Sequence, residues 1–102
     1  MTNKNGSIMM SEARRFRKKP VEIEAMQWTG DNLAEIVEWA GDKFDALDEE
    51  YRDEDPEATA QIFDELHSTW VLVYDGHWII KGLKGEFYPC NAEVFEETYE
   101  VA

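Results

Sequence analysis

The most reactive side chains in this 102-residue chain are one cysteine and two histidines. A cysteine can act as a nucleophile when an imidazole lies within hydrogen-bond reach and a third group orients it. Cys90, His67 and His77 have no local spacing that predicts this arrangement, and none that is typical of a zinc site. Carboxylates number 23, too many for a catalytic pair to be recognised. The sequence therefore predicts no enzyme activity, no metal site and no cofactor.

A second set of side chains is suited to binding. Four tryptophans are many for a chain of this length. A small core uses tryptophan for its area, but one or two of these rings could stack on a planar ligand such as a nucleobase. Lys81 and Lys84 are the only basic residues after position 52, and they suit a phosphate or carboxylate unless acids pair with them. The predicted ligand site consists of Trp28, Trp78, Lys81, Lys84 and Tyr88.

Charge divides the chain into two unlike parts. The formal net charge is −13, yet residues 1–20 carry six basic residues against one acid. Residues 21–102 carry four basic residues against 22 acids. General nucleic-acid binding is not expected, because it requires lysines and arginines to displace counterions from phosphate. No apolar run approaches the ~20 residues that cross a bilayer, so no membrane-spanning helix is predicted.

Eleven of the acids lie between residues 42 and 65. Such a density of like charge repels itself and leaves few apolar anchors, so we predict a solvated acidic loop at about 42–65. A long loop inside a small domain is unusual, which makes it either functional or an expendable insertion. If it is functional, its acidic interaction surface consists of Asp48, Glu49, Glu50, Asp53, Glu54 and Asp55.

The elements that position these side chains begin near Pro20. Residues 21–25 alternate between apolar and acidic side chains, as in a half-buried strand, and a slip at Met26 indicates either a β-bulge or a strand end covered on both faces. Helical spacing of apolar residues follows, with Asn32 as the predicted N-cap and Glu35 completing a capping box. We therefore expect a well-capped helix after the first strand.

The last third of the chain predicts a β-meander. Residues 69–74 are apolar on both faces, as in a central strand or a strand covered by a helix, and Asp75-Gly76 predicts a tight hairpin to a return strand at 77–81. A second reversal at 82–85 leads to a further strand, and Asn91 can cap a short helix. The predicted fold is α+β, a small antiparallel sheet formed by this meander and the N-terminal strand, with one well-capped helix and a short C-terminal helix. A disordered polar and basic leader is expected over residues 1–15, before a single domain over 16–102.

Two blocks of sequence resemble a widespread family of small, largely uncharacterised bacteriophage proteins. The first is the run RKKPVEIEAMQWTG at 17–30, and the second is WIIKGLKGEFYPC at 78–90 followed by FEETYE at 95–100. The resemblance covers about residues 14–101. It implies a phage origin, expression in the cytoplasm of an infected bacterium, and no enzyme activity, and it brings no catalytic residues.

Three functions remain open at this point. The leading hypothesis is a non-enzymatic phage accessory protein that binds a small anionic host or immune-signalling ligand, or a host protein, in host takeover or counter-defence. In the second, the dense carboxylates mimic nucleic acid and inhibit a host protein. The third is a minor virion component. An unpaired sheet edge near Pro89 or the C-terminus would allow a homodimer, although nothing in the sequence requires one.

Overall fold

A computed structural model describes residues 13–52 and 55–102 of the protein. Most of the predicted leader, residues 1–12, lies outside the described residues. The described residues form six strands: β1 (Glu24–Gln27), β2 (Phe44–Ala46), β3 (Ala58–Asp64), β4 (Thr69–Tyr74), β5 (Trp78–Lys81) and β6 (Phe87–Cys90). The α-helices are α1 (Leu33–Ala40) and α2 (Ala92–Thr98), and short 3₁₀ turns span Gly41–Lys43 and Glu49–Tyr51. The predicted α+β class is confirmed.

The strands form two antiparallel three-stranded sheets. Sheet 1 has the order β1-β5-β6, and sheet 2 has the order β2-β3-β4. Their inner faces and α1 share one core, which contains Ile36, Ile62, Val73 and Ile79, each fully buried. Burying such a side chain contributes roughly 1.5–3 kcal/mol, so this shared cluster is what holds the two sheets together. No helix in the described part of the chain is long and apolar enough to cross a membrane.

The prediction of an acidic loop at 42–65 is wrong, because the segment contains β2 and β3, the longest of the described strands. The acids are concentrated before residue 58, whereas β3 alternates buried and half-buried residues along its whole length. Ala58, Ala60 and Ile62 face the core. This period-2 pattern is the ordinary mark of a half-buried strand. In the sequence, this alternation in β3 is masked by the large number of acids in the segment 42–65.

The turn at Asp75-Gly76 forms, but it does not make the predicted hairpin. The amide of His77 donates to the Tyr74 carbonyl at 3.0 Å, and Gly76 has a φ of 90°. β4 belongs to sheet 2 and β5 to sheet 1, so the turn carries the chain from one sheet to the other. The hairpins are instead β3-β4 and β5-β6. The segment predicted as one meander is therefore divided between two sheets. β5 pairs with β1, from Glu24 opposite Lys81 to Gln27 opposite Trp78, and the Gly76 amide donates to the Trp28 carbonyl just beyond the strand ends.

Two local expectations near the N-terminus also need correction. The first strand begins at Glu24, not near Pro20, and its register with β5 is continuous, without a bulge. Asn32 precedes α1 but makes no side-chain cap. Its side chain accepts from the Thr29 amide and donates to the Gln27 carbonyl, so it holds the loop before the helix. At α2, by contrast, the predicted cap is confirmed, because the Asn91 side chain accepts from the amide of Val94 at 2.8 Å.

Candidate functional site

The outer face of sheet 1 is only partly covered. Side chains alternate between the faces of a strand, so Trp78 and Ile80 of β5 point away from the core residue Ile79. The ring of Phe95, from α2, lies parallel to Trp78 with centroids 4.2 Å apart, and Tyr99 packs against Phe95 at 4.9 Å. These contacts fix α2 over one end of the sheet. They leave a groove between α2 and the chain that leads into β1.

One end of the groove is basic. Lys18 and Lys19, from the segment before β1, meet Lys84, from the turn between β5 and β6, around a cavity of about 560 Å³. The hydroxyl-bearing residues Tyr88, Thr98 and Tyr99 also line this cavity, which we call the basic pocket. Among the described residues, Lys43–Glu65 is the ion pair that joins a lysine or arginine to an acid, and His67 contacts Asp64. The three lysines of the basic pocket are therefore not neutralised by a described carboxylate within salt-bridge distance.

The turn between β5 and β6 determines where Lys84 lies. The Gly82 amide donates to the Glu86 carbonyl at 2.7 Å, and the Gly85 amide donates to the Gly82 carbonyl at 3.0 Å. The Glu86 carboxylate folds back and accepts from the Lys84 amide at 3.0 Å. A Cβ at Gly82 would overlap this carboxylate, so a larger residue there would push the Glu86 side chain aside. Glu86 is the one acid on the wall of the basic pocket, and this hydrogen bond holds its carboxylate against the turn.

Among the residues that line the basic pocket, Tyr88 has the most strongly shifted pKa. Burial, a hydrogen bond with Tyr99 and the nearby charge of Glu86 raise the pKa of Tyr88 to about 12. Because the pKa is raised, the phenol keeps its proton at neutral pH. Tyr88 therefore places a protonated hydroxyl, engaged with Tyr99, on the wall of the pocket that the three lysines line.

The other end of the groove is aromatic and rimmed by acids. A cavity of about 590 Å³ is lined by Trp78, Phe95 and Tyr99, and the carboxylates of Glu22, Glu96 and Glu100 lie around it. We call it the aromatic pocket. Val21, Ile23 and Tyr99 line both cavities, so the two pockets lie side by side along the groove.

The structure separates the five residues of the predicted ligand site. Lys84 and Tyr88 come together in the basic pocket, and Trp78 lies in the adjoining aromatic pocket. Lys81 lies in a neighbouring cleft, beside Glu22 and Glu24, which shares Ile23, Gly82 and Leu83 with the basic pocket. Its ammonium is 5.9 Å from the centre of the Phe87 ring.

The prediction for Trp28 is wrong. The residue is 2% exposed in the core, and its indole N–H donates to the Thr59 hydroxyl at 2.9 Å. A ring buried in this way offers no face to a ligand. Sequence reasoning also missed Lys18, Lys19 and Tyr99 as pocket residues. The two lysines belong to the basic run at residues 1–20, whose charge is opposite to that of the remaining chain, and this contrast could have indicated them as anion-binding residues.

The predicted acidic surface is only partly available. Asp48, Glu49 and Glu50 are exposed at the 3₁₀ turn between β2 and β3. Asp55 is half-buried and accepts a hydrogen bond from the Tyr74 hydroxyl, a contact that raises the pKa of Tyr74. Asp53 and Glu54 lie outside the described residues.

The residues with reactive side chains do not converge. His67 pairs with Asp64, while the His77 ring lies 5.1 Å from the Tyr74 ring and burial lowers its pKa. Burial raises the pKa of the Cys90 thiol, which disfavours the nucleophilic thiolate. Over the described residues, no group of three or more histidine, cysteine, aspartate or glutamate side chains could hold a metal ion.

The chain matches no protein-family model, no curated protein and no solved structure.

Proposed function

We propose that this protein is a non-enzymatic binding protein that holds a small anionic ligand in the basic pocket. The observation that carries the proposal is the meeting of Lys18, Lys19 and Lys84, from two distant parts of the sequence, around one cavity. These are three of the ten basic residues in a chain with a net charge of −13. Their convergence creates a local positive field where the rest of the surface repels anions.

The groove favours a ligand with an anionic end and a flat apolar end. Phosphate or carboxylate oxygens can be bound by the ammonium groups of these lysines. From there, a planar group reaches the aromatic pocket, where Trp78 and Tyr99 offer ring surface. A nucleotide is the simplest ligand with both parts, since a base can stack on an aromatic ring whatever its identity.

Binding without turnover is supported by the separation of His67, His77 and Cys90. The resemblance to bacteriophage proteins adds a biological setting to the proposal. In that setting the protein acts in the cytoplasm of an infected bacterium and sequesters a small host or immune-signalling molecule, in host takeover or counter-defence. A protein that works by sequestration needs only affinity and abundance, which this groove and a small chain can provide.

Calorimetric titration with a panel of ligands tests the proposal. We expect nucleoside monophosphates and cyclic nucleotides to bind more tightly than inorganic phosphate, and uncharged nucleosides to bind least. Lys84→Gln should weaken nucleotide binding by about tenfold, the loss expected for one charge-assisted hydrogen bond. Lys81→Gln is the matched control, because it removes the same charge from the neighbouring cleft, beside Glu22 and Glu24, and should change the affinity far less than Lys84→Gln. No heat of binding with any anion of the panel, or equal losses in the two variants, would contradict the proposal.

A second candidate function is mimicry of nucleic acid by the acidic surface. It is supported by the exposure of Asp48, Glu49 and Glu50 in consecutive positions on one turn. If it is correct, neutralising all three side chains should abolish capture of a basic host protein, and salt should weaken that capture steeply. The matched control neutralises three exposed carboxylates elsewhere, those of Glu38, Glu93 and Glu97. Neither triple variant should change nucleotide affinity by more than a small factor, which separates the two candidate functions.

A further inference from the structure

The outer face of sheet 2 carries exposed apolar residues that the proposed function does not use. On this face, Phe63 of β3 lies directly opposite Trp70 of β4, with ring centroids 5.5 Å apart at an edge-to-face angle of 66°. Leu72 lies two residues further along β4 on the same face. Trp70 is 45% exposed and Leu72 is 36% exposed. A strand that was expected to be central or covered is instead half open to solvent.

β4 is also an edge strand. Among the described strands its only partner is β3, so the backbone N–H and C=O groups of its other edge have no strand to pair with. Natural edge strands usually carry a charged residue or a proline that discourages pairing with another chain. β4 has the sequence TWVLVY, with neither. Its six residues also have strong β propensity, so the edge is well suited to receive another strand.

The distribution of charge indicates that the edge of β4 receives β4 of a second copy. Residues 66–74 form the longest run without a charged side chain in the whole sequence. Two copies of a chain with a net charge of −13 repel each other at most approaches. The β4 edge is where two copies can meet along several residues without bringing carboxylates together.

We propose that two copies of this protein pair through β4, in antiparallel orientation, to form a continuous six-stranded sheet. A two-fold axis perpendicular to the sheet keeps the two outer faces on the same side of the joined sheet. An outward-facing residue of one copy then lies opposite an outward-facing residue of the other, so even-numbered residues of β4 pair with even-numbered residues. Centring the axis on Val71 places Trp70 of each copy opposite Leu72 of the other. This register brings together the two exposed apolar residues of β4, twice per dimer, with the Phe63 rings beside them.

The effect of salt on the dimer distinguishes pairing through β4 from pairing through opposite charges. Contacts between the basic N-terminal segment of one copy and acids of the other would weaken as ionic strength rises, because salt screens attraction. Pairing through β4 buries apolar and backbone groups between two acidic molecules. Salt screens the repulsion between those molecules, so this dimer should become tighter as salt is added.

Sedimentation equilibrium over a range of protein and salt concentrations tests the proposal. The wild-type protein should sediment as a dimer that dissociates on dilution and tightens with salt. Leu72→Lys should raise the dissociation constant by about a hundredfold, because each copy would bury an unpaired ammonium group. Leu33→Lys is the matched control: the same change, on α1, at a leucine with the similar exposure of 39%. Circular dichroism of each variant verifies that it is folded.

A charge swap tests the register itself. Trp70→Lys combined with Leu72→Lys should abolish dimerisation, whereas Trp70→Lys combined with Leu72→Glu should restore it, since each introduced lysine then lies opposite an introduced glutamate. A wild-type protein that is monomeric at every concentration would overturn the proposal. So would a dimer that Leu72→Lys leaves intact, or one that salt dissociates.

Discussion

At the scale of single residues, the clearest structural feature is a short chain of hydrogen bonds beneath the turn between β4 and β5. The indole N–H of Trp28 donates to the Thr59 hydroxyl, which in turn donates to Asp75 at 2.6 Å. Thr59 lies where the register of β3 and β4 shifts between Ala58 and Ala60. The irregularity therefore places a hydroxyl within reach of the one polar atom of a buried tryptophan side chain.

This arrangement leads to a prediction about stability. Thr59→Val keeps the shape of the side chain but leaves the Trp28 indole N–H without its partner. The free energy of unfolding should fall by about 1–3 kcal/mol, the cost of an unsatisfied buried donor. Thr59→Ser retains the hydroxyl and should lose less. Urea denaturation followed by tryptophan fluorescence measures both variants, and equal losses would show that the hydroxyl is not what matters.

A second prediction at this scale concerns pH. A side-chain hydrogen bond from His67, together with the amides of Leu66 and His67, lowers the pKa of Asp64 from its ordinary value of 3.8, although burial opposes the shift. A pKa that is lower in the folded state means that the carboxylate stabilises the fold above pH 3.8, and that this stabilisation is lost as pH falls through the folded pKa.

Asp64→Asn should therefore lose less stability than wild type when the pH is lowered from neutral to below 3.8. The measurement is the urea midpoint at the two pH values. Glu97→Gln, at an exposed position on α2, is the control and should lose as much stability as wild type. If Asp64→Asn and wild type change in parallel, the His67 contact does not contribute to acid sensitivity.

At the scale of elements, several features with local signals were predicted correctly, although the equally local cap at Asn32 is absent. The turn at Asp75-Gly76 and the Asn91 cap of α2 depend on one or two residues and their immediate neighbours, and both are present. The sequence could not show which strands share a sheet, because that depends on contacts between distant residues. The pairing of β1 with β5, such as Ala25 opposite Ile80, is the clearest example.

The same distinction explains the errors at the candidate site. Trp28 and Trp78 are the same residue type, and nothing local shows that one ring is buried while the other borders a pocket. Lys84 was predicted as a ligand-binding residue because it is one of two lysines in an otherwise acidic part of the chain. Its partners Lys18 and Lys19 were not, since they are more than sixty residues away and the groove that unites them exists only in the folded chain.

The cap of α2 provides a prediction at the scale of elements. α2 covers one end of the groove, and its N-terminal turn is held by the Asn91 side chain. Asn91→Ala should lower the free energy of unfolding by about 1 kcal/mol, the usual value of an N-cap. Asn91→Asp keeps an acceptor and should retain most of the stability. Thermal denaturation measures both, and a loss of equal size in the two variants would contradict a capping role.

At the scale of the whole molecule, the net charge of −13 is the sum of regions that do different things. The basic segment before β1 is not merely a leader, since Lys18 and Lys19 form one wall of the basic pocket. The acids are spread over turns, over α2 and around the aromatic pocket. The distribution discourages binding of a long nucleic acid by the whole surface while it leaves one place suited to a small anion.

The most direct test of this account is amide chemical-shift mapping during titration with a nucleoside monophosphate. The account predicts shifts confined to residues near positions 18–23, 78–88 and 95–101, the three segments that line the groove. Lys84→Gln should reduce the shifts in the basic pocket, and Lys81→Gln should not. The absence of shifts at saturating nucleotide, or shifts centred on β2 and the 3₁₀ turn after it, would contradict a small-anion site at this groove.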